Sequence, residues 1–312
     1  MHFLSNLSLP QNVLQTIAAI FLLLLVGYGA KRAKILKQSD TSVVNAIIIY
    51  LTMPAFIFSV FHKKPLPDGV WATPVVVLVG EMVVLALAYG CARLLKLDRP
   101  TTGGLMVAAA FGNTGFLGYP VTTAVWPHQP GALVTSVMID SFGMSMWLMS
   151  IGIAVAATFA SAKFDRRSML AFLKTPLFPS TVIALLIRNC NVPEPIVISA
   201  RYLGAATVPL AMISLGLSLS ARSIRKTSTP FLVCLLLKVA VLPVLVHFGL
   251  KPFGVTGLVH DAAVLEASMP SAVMAGVVSG QYGANGPFVS GAVFLMTLFS
   301  LATIPLVLTI LH

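Results

Sequence analysis

Charged residues are scarce in this chain: Asp, Glu, Lys and Arg together make up 9% of its 312 residues. Hydrophobic residues make up 57% of the sequence, and the mean hydropathy is +0.94. A soluble domain of this length needs a charged surface, so the composition excludes one. It indicates an all-α protein that crosses a lipid bilayer several times.

The few charges are unequally divided. Lys and Arg number 20 against 9 acidic residues, but the basic residues lie in short clusters between apolar runs. This pattern is typical of cytoplasmic membrane loops, and it leaves no basic soluble domain that could hold a nucleic acid. The lipid bilayer is therefore a predicted partner, and nucleic acid is not.

Cysteine is also rare, and its three residues form no CxxC pair, which excludes a disulfide framework and a zinc site. The sequence contains no GxxxxGK[ST] loop, no HExxH and no GxSxG motif. We predict no cofactor, no metal and no enzymatic activity. The alternatives are a membrane-embedded enzyme that uses Glu266 and Asp140 as acid and base, and a passive channel.

Ten apolar segments, joined by short linkers, are predicted to span the membrane as helices. They cover approximately residues 11–30, 40–61, 70–92, 101–125, 131–160, 170–190, 197–220, 229–250, 257–280 and 286–311.

Lys and Arg concentrate in the loops after segments one, three, five and seven. The positive-inside rule places these loops in the cytoplasm and both termini outside. With five segments in each half, the second half enters the membrane from the opposite side. Residues 1–160 and 161–312 are therefore predicted to form two inverted five-helix repeats.

The interior of segment four is expected to interrupt a helix. Three glycines lie between residues 112 and 118, where we expect backbone angles that other residues avoid, and Pro120 lacks a backbone N–H. An interrupted helix exposes amide groups that favour an anion. The residues predicted to contact a substrate in this segment are Asn113, Thr114, Gly115 and Tyr119.

Segment nine offers a second break at residues 266–271, which Pro270 is predicted to keep open as Pro120 does in segment four. Counted from the predicted entry of each segment, both breaks reach the middle of a hydrocarbon core about 30 Å thick. Two such helices would cross there, and paired broken helices mark the substrate sites of transporters. Met269 and Ser271 are predicted to complete the site.

Four ionisable residues lie inside predicted spans, where a charge needs a partner, water or a function. Glu81 and Lys238 precede the breaks of their own halves by equal distances. Our hypothesis is that Lys238 balances an anionic substrate and that Glu81 titrates, and the alternative is a structural pair. Glu266 and Asp140 are the further candidates for ion or proton coupling.

Three short stretches carry a resemblance to a known family. Asn-Thr-Gly-Phe-Leu-Gly-Tyr-Pro at 113–120, Met-Pro-Ser-Ala at 269–272 and Leu-Thr-Met-Pro at 51–54 occur in this order. The chain resembles the auxin efflux carrier family of bacterial permeases, which are relatives of the plant PIN carriers.

The resemblance implies a fold similar to that of NhaA and the bile-acid symporters, in which segments 1, 2, 6 and 7 form a scaffold and segments 3–5 and 8–10 a transport unit. It further implies a homodimer, an elevator-like motion, a bacterial inner-membrane location and small organic anions such as malate or malonate. In the bile-acid sodium symporters a Glu on the corresponding crossed helix ligates sodium. We therefore predict a secondary active transporter of a small organic anion, and the alternative is a sodium-coupled symporter of a larger organic acid. Coupling to a proton or to sodium through Glu266 is left open.

Overall fold

The computed structural model describes residues 11–160, 170, 172–173, 175–218 and 228–311. Within these ranges every regular element is a helix, which confirms the all-α prediction for the described chain. The predicted junction between the halves extends into residues 161–169, which lie outside the described residues. Lys174 and the basic cluster at 222–226 lie outside them too.

Among the described residues, six helices are long and apolar enough to cross a membrane, namely α2, α3, α6, α8, α9 and α12 in the numbering that follows. In chain order the helices are α1 (Gln11–Arg32), α2 (Gln38–Phe61), α3 (Ala72–Leu94), α4 (Arg99–Ala110), α5 (114–125), α6 (Pro130–Ala160), α7 (Leu177–Ile187), α8 (Glu194–Ser218), α9 (Thr229–Phe253), α10 (Gly257–Ala267), α11 (Val273–Gln281) and α12 (Gly286–Leu311).

The predicted segment four is interrupted and comprises α4 and α5. The side chain of Asp98 caps α4 by accepting a hydrogen bond from the amide of Thr101. The helix ends at Ala110, and Phe111 is extended with φ −97° and ψ 123°. α5 then starts at Thr114, so segment four is broken as predicted, at residues 111–113. Pro120, which is expected from the sequence to keep the break open, lies inside α5 instead.

The predicted segment nine is interrupted as well, between the end of α10 at Ala267 and the start of α11 at Val273. Pro270 cannot donate a backbone hydrogen bond, and its ring disfavours the helical conformation for the residue before it. Ala272 is extended, with φ −62° and ψ 137°. This second predicted break is also confirmed.

Three prolines follow a wide, π-helical turn by the same interval. The turn Ile48–Thr52 precedes Pro54, Thr114–Gly118 precedes Pro120, and Leu237–Val241 precedes Pro243. A proline inside a helix removes one hydrogen bond and clashes with the carbonyl four residues earlier. Widening the turn before the ring accommodates both effects without ending the helix.

The helices form two groups that share the region of the breaks. α1 and the end of α8 approach so closely that a methyl group at Gly27 or Gly216 would collide with the backbone of the other helix. Asn45 of α2 accepts a hydrogen bond from Ser214 of α8. One buried apolar cluster joins these helices to α5, and a second joins α3, α4 and α9 to α11 and α12.

Candidate functional site

The two breaks pair with each other through their main chains. The amide of Asn113 donates to the carbonyl of Pro270 at 2.7 Å, and the amide of Ala272 donates to the carbonyl of Phe111 at 3.0 Å. These bonds frame an antiparallel bridge between Gly112 and Ser271. The pairing satisfies backbone groups that the broken helices leave free, which is a requirement for irregular backbone in a membrane protein.

A cavity of about 90 Å³ lies beside this pairing and is lined by the first residues of two helices, Thr114 to Phe116 of α5 and Val273 and Met274 of α11. The first amides of a helix have no acceptor inside the helix, and the N-terminal end carries a partial positive charge. Asn113 is buried and also lines this cavity, and its side-chain amide nitrogen has no hydrogen-bond acceptor among the described residues. The end of the cavity at the breaks thus offers hydrogen-bond donors.

Most of the remaining lining is apolar, and four of its side chains are methionines. The principal apolar residues are Met53, Phe116, Met144, Leu148, Met149 and Met274. Methionine side chains adapt their shape to what they contact. The cavity therefore combines a polar end at the breaks with a deformable apolar wall.

One carboxylate lines the cavity, that of Asp140 in α6. Its Oδ1 accepts hydrogen bonds from Thr114 at 2.6 Å and from Ser145 at 2.8 Å, and its Oδ2 accepts one from Tyr119 at 2.6 Å. Asp140 thereby ties the first turn of α5 to α6. Tyr119 itself is fully buried and stacks on Phe56, with ring centroids 5.5 Å apart.

The three glycines of segment four each make room for one buried ionisable side chain. A Cβ at Gly112 would lie 2.7 Å from Nζ of Lys238, and a Cβ at Gly115 would lie 3.0 Å from Oδ2 of Asp140. A Cβ at Gly118 would collide with the carboxylate of Glu266. None of the three has a positive φ, so the expected special backbone angles are wrong, and close side-chain contact explains the glycines.

Lys238 lies at the carbonyl end of α10. Its Nζ donates to the carbonyl of Ala267, the last residue of that helix, at 2.9 Å. A cation is favourable at a helix C-terminus. Among the described residues Lys238 forms no ion pair within 4 Å, and Glu81, its electrostatic neighbour on α3, has no hydrogen-bond donor to either carboxyl oxygen.

Glu266 is buried on α10 beside two hydroxyls of the first half. Its Oε1 accepts a hydrogen bond from Thr122 at 3.1 Å, and Thr122 contacts the hydroxyl of Ser136 at 2.9 Å. Oε2 has no partner among the described residues. This bond holds Glu266 against α5 at Thr122, which lies one helical turn after Gly118.

The structure brings Asn113, Thr114, Gly115 and Asp140 together at the cavity, while Met269, Ser271 and Tyr119 do not line it. Ser271 instead donates to the carbonyl of Ala108 at 2.6 Å. Sequence reasoning missed Ser145 and the methionines. Ser145 follows Asp140 by one wide helical turn, a spacing that could have indicated it, whereas nothing distinguishes the methionines from core residues.

A family model described as membrane transport protein matches residues 12–168 and 161–308 of the chain. The chain belongs to this family. The resemblance to the auxin efflux carriers is thereby confirmed, and the protein is a multi-pass membrane transporter.

Relatives agree with this assignment over nearly the whole length of the transporter. It is 30% identical to a protein of Methanothermobacter thermautotrophicus named "Uncharacterized transporter", over 94% of this chain and 96% of that protein. A Methanocaldococcus jannaschii protein with a similar name is 29% identical, over 96% of this chain and 97% of its own. A Rhizobium meliloti protein named "Putative malonate transporter" is 24% identical, over 84% of each chain.

Proposed function

We propose that this transporter is a secondary active permease that carries a small organic anion, such as a carboxylate, across the membrane. The observation that carries the proposal is the meeting of two helix N-terminal ends and the unpartnered amide of Asn113 at one cavity. Amide donors and the positive ends of helix dipoles favour an anion. The name of the Rhizobium relative also supports a carboxylate substrate.

In the proposed complex, the substrate carboxylate lies at Asn113 and the first turns of α5 and α11. The rest of the substrate contacts the methionine-rich wall. Because the described lining residues include no Lys, Arg or His, a single carboxylate matches the donors better than two carboxylates do. Monocarboxylates with a small apolar body and malonate are therefore the two probes to compare.

Transport is proposed to follow alternating access in an elevator-like manner. α1, α2, α7 and α8 would form the scaffold, and the remaining helices, with the crossing of the two broken ones at the membrane midplane, would move as the transport unit. The mutual pairing of the breaks supports such a unit, because the two broken helices are hydrogen-bonded to each other. The proposal includes ten spans in two inverted repeats, a homodimer, an inner-membrane location and both termini outside.

Coupling is proposed to involve the buried carboxyls. Glu266 has a free carboxyl oxygen next to two hydroxyls, a set of oxygen atoms that could take a proton or a sodium ion. Glu81 and Lys238 are fully buried on α3 and α9, two helices that pack against each other. No cofactor is needed for this mechanism.

Counterflow in proteoliposomes tests the proposal. Vesicles loaded with unlabelled malonate or unlabelled butyrate should transiently accumulate the labelled form of the same acid, because a carrier exchanges substrate across the membrane. A channel would show uptake without this overshoot, and an enzyme would alter the acid. Absence of counterflow for every carboxylate of a broad panel, in vesicles that contain correctly folded protein, would refute the proposed function.

A further inference from the structure

One oxygen of Asp140 is shared by two hydroxyls that also line the cavity. Thr114 and Ser145 both donate to Oδ1, at 2.6 Å and 2.8 Å, while Tyr119 donates to Oδ2. An ionised carboxylate accepts all three hydrogen bonds. In this state each hydroxyl hydrogen points at Asp140, so neither Thr114 nor Ser145 can donate it to a substrate in the cavity.

Adding a proton to Oδ1 reverses one of these bonds without moving a heavy atom. The new O–H of Asp140 donates to Oγ1 of Thr114, whose own hydrogen turns towards the cavity. The 2.6 Å separation of the two oxygens suits either direction of the bond. One proton from solution thus becomes one additional donor at the anion site, and the negative charge beside that site disappears.

We infer that Asp140 is the proton-binding residue of this carrier and that Thr114 passes the effect to the substrate, so that anion and proton bind together. This inference rests on the proposed anion site. Thr114 adjoins Asn113, whose buried amide nitrogen has no partner among the described residues. Once Asp140 is protonated, the two donors would meet the same carboxylate. The predicted cargo is one carboxylate with one proton.

Other ionisable groups surround Asp140 and could share its proton. Tyr119 of α5 contacts it directly, Glu81 faces it from α3, and Glu266 faces it from α10. Lys238 of α9 donates to the carbonyl of Ala267 at the end of α10, and α7, which also packs on this part of α6, contributes no titratable residue. Among these groups Asp140 is the one that lines the cavity, and this assigns the substrate-linked proton to it rather than to Glu81 or Glu266.

The sign of the pH effect follows from linkage. Because protonated Asp140 binds the anion better, affinity falls as pH rises, with the Kd increasing by up to about tenfold per pH unit for one coupled proton. The experiment measures the Kd of malonate and of butyrate for the purified full-length protein in detergent across a pH series. In weakly buffered solution, the same titration reports proton uptake per bound anion.

The inference predicts about one proton taken up per anion by the wild type. Asp140→Asn should bind at every pH about as tightly as the wild type does at low pH, since the amide group donates as the protonated acid does, and should take up no proton. Thr114→Val should bind weakly without pH dependence, Thr114→Ser should behave like wild type, and Glu81→Gln should keep the proton uptake.

A pH-independent Kd in wild-type protein that binds the probe would overturn the inference while leaving the proposed function in place. The inference would also be overturned if Glu81→Gln or Ser145→Ala made the Kd independent of pH while Thr114→Val kept the pH dependence of the wild type. If Asp140→Asn does not fold, the inference is tested by the proton uptake of the wild type and by the comparison of Thr114→Val with Thr114→Ser. Failure of the wild type to bind or transport any carboxylate would instead refute the proposed function, and this inference with it.

Discussion

The backbone amide of Asn113 donates a hydrogen bond to the carbonyl of Pro270 across 2.7 Å, which joins two helix breaks that lie far apart in the sequence. The bond involves main-chain atoms alone, so the side chain of Asn113 is not needed to hold the breaks together. The side chain caps no helix, and its amide nitrogen has no acceptor among the described residues, so this nitrogen is the donor that we assign to a ligand.

Asn113→Ala should weaken substrate binding while the protein still folds and inserts. Loss of one hydrogen bond to a charged group costs about 1.5–3 kcal/mol, which corresponds to roughly ten- to a hundredfold in KM or Kd. Transport kinetics in proteoliposomes, with gel filtration as the control for folding, measure the effect. Unchanged kinetics would show that Asn113 has only a backbone role.

Gly118→Ala should destabilise the protein because the added methyl group would collide with the carboxylate of Glu266. Overpacking of this kind costs about 1–3 kcal/mol. Gly90→Ala is the matched control, since a Cβ at Gly90 in α3 meets no atom within 4 Å. Thermal unfolding in detergent should show a lower midpoint for the first variant only.

A second substitution separates this collision from a backbone effect. In the Gly118→Ala background, Glu266→Ala removes the side chain that the methyl group meets, so part of the lost stability should return. If the double variant lost as much stability as the two single variants lose together, Gly118 would be required for another reason.

Lys238→Met should abolish transport and lower stability. The change leaves the carbonyl of Ala267 without its donor, which costs about 1–3 kcal/mol for a buried group, and leaves Glu81 without a nearby positive charge. Uptake assays and thermal unfolding together measure the result. Normal transport by this variant would show that Lys238 has only a structural role.

Ser271→Ala tests whether Ser271 contacts the substrate, as the sequence predicts, or only stabilises the fold. In the structure its hydroxyl donates to the carbonyl of Ala108 and does not line the cavity. The variant should lose about 1 kcal/mol of stability and keep its KM. A tenfold rise in KM at unchanged stability would restore the assignment to substrate contact.

The breaks could be predicted because proline and glycine act on the backbone locally. Pro270 lacks an N–H wherever the rest of the chain lies, and it lies in the second interruption, which the sequence therefore places for the right reason. The first interruption, at residues 111–113, is located correctly, but Pro120 lies inside α5 and does not cause it. The role of the three glycines was not predicted, because they serve close side-chain contact and not special backbone angles. Their neighbours Lys238, Asp140 and Glu266 come from other helices, and sequence spacing does not reveal which side chain meets which backbone.

The cavity was predictable in part for the same reason. Asn113 and Thr114 follow from their place in the break, whereas the contact of Thr114, Tyr119 and Ser145 with one carboxylate depends on how α5 packs on α6. The methionine wall was not predictable. A methionine in a membrane helix has the same sequence signature whether it faces a neighbouring helix or a cavity.

The central claim, that the substrate occupies this cavity, is tested most directly by protection of a single cysteine. In a variant with Cys91, Cys190 and Cys234 replaced by Ala, Met149→Cys places a thiol in the cavity wall, and Val43→Cys places one on the exposed surface of α2. The account predicts that a transported carboxylate slows thiol modification at position 149 with the concentration dependence of transport, and leaves position 43 unaffected. Saturable transport without protection at position 149 would contradict it.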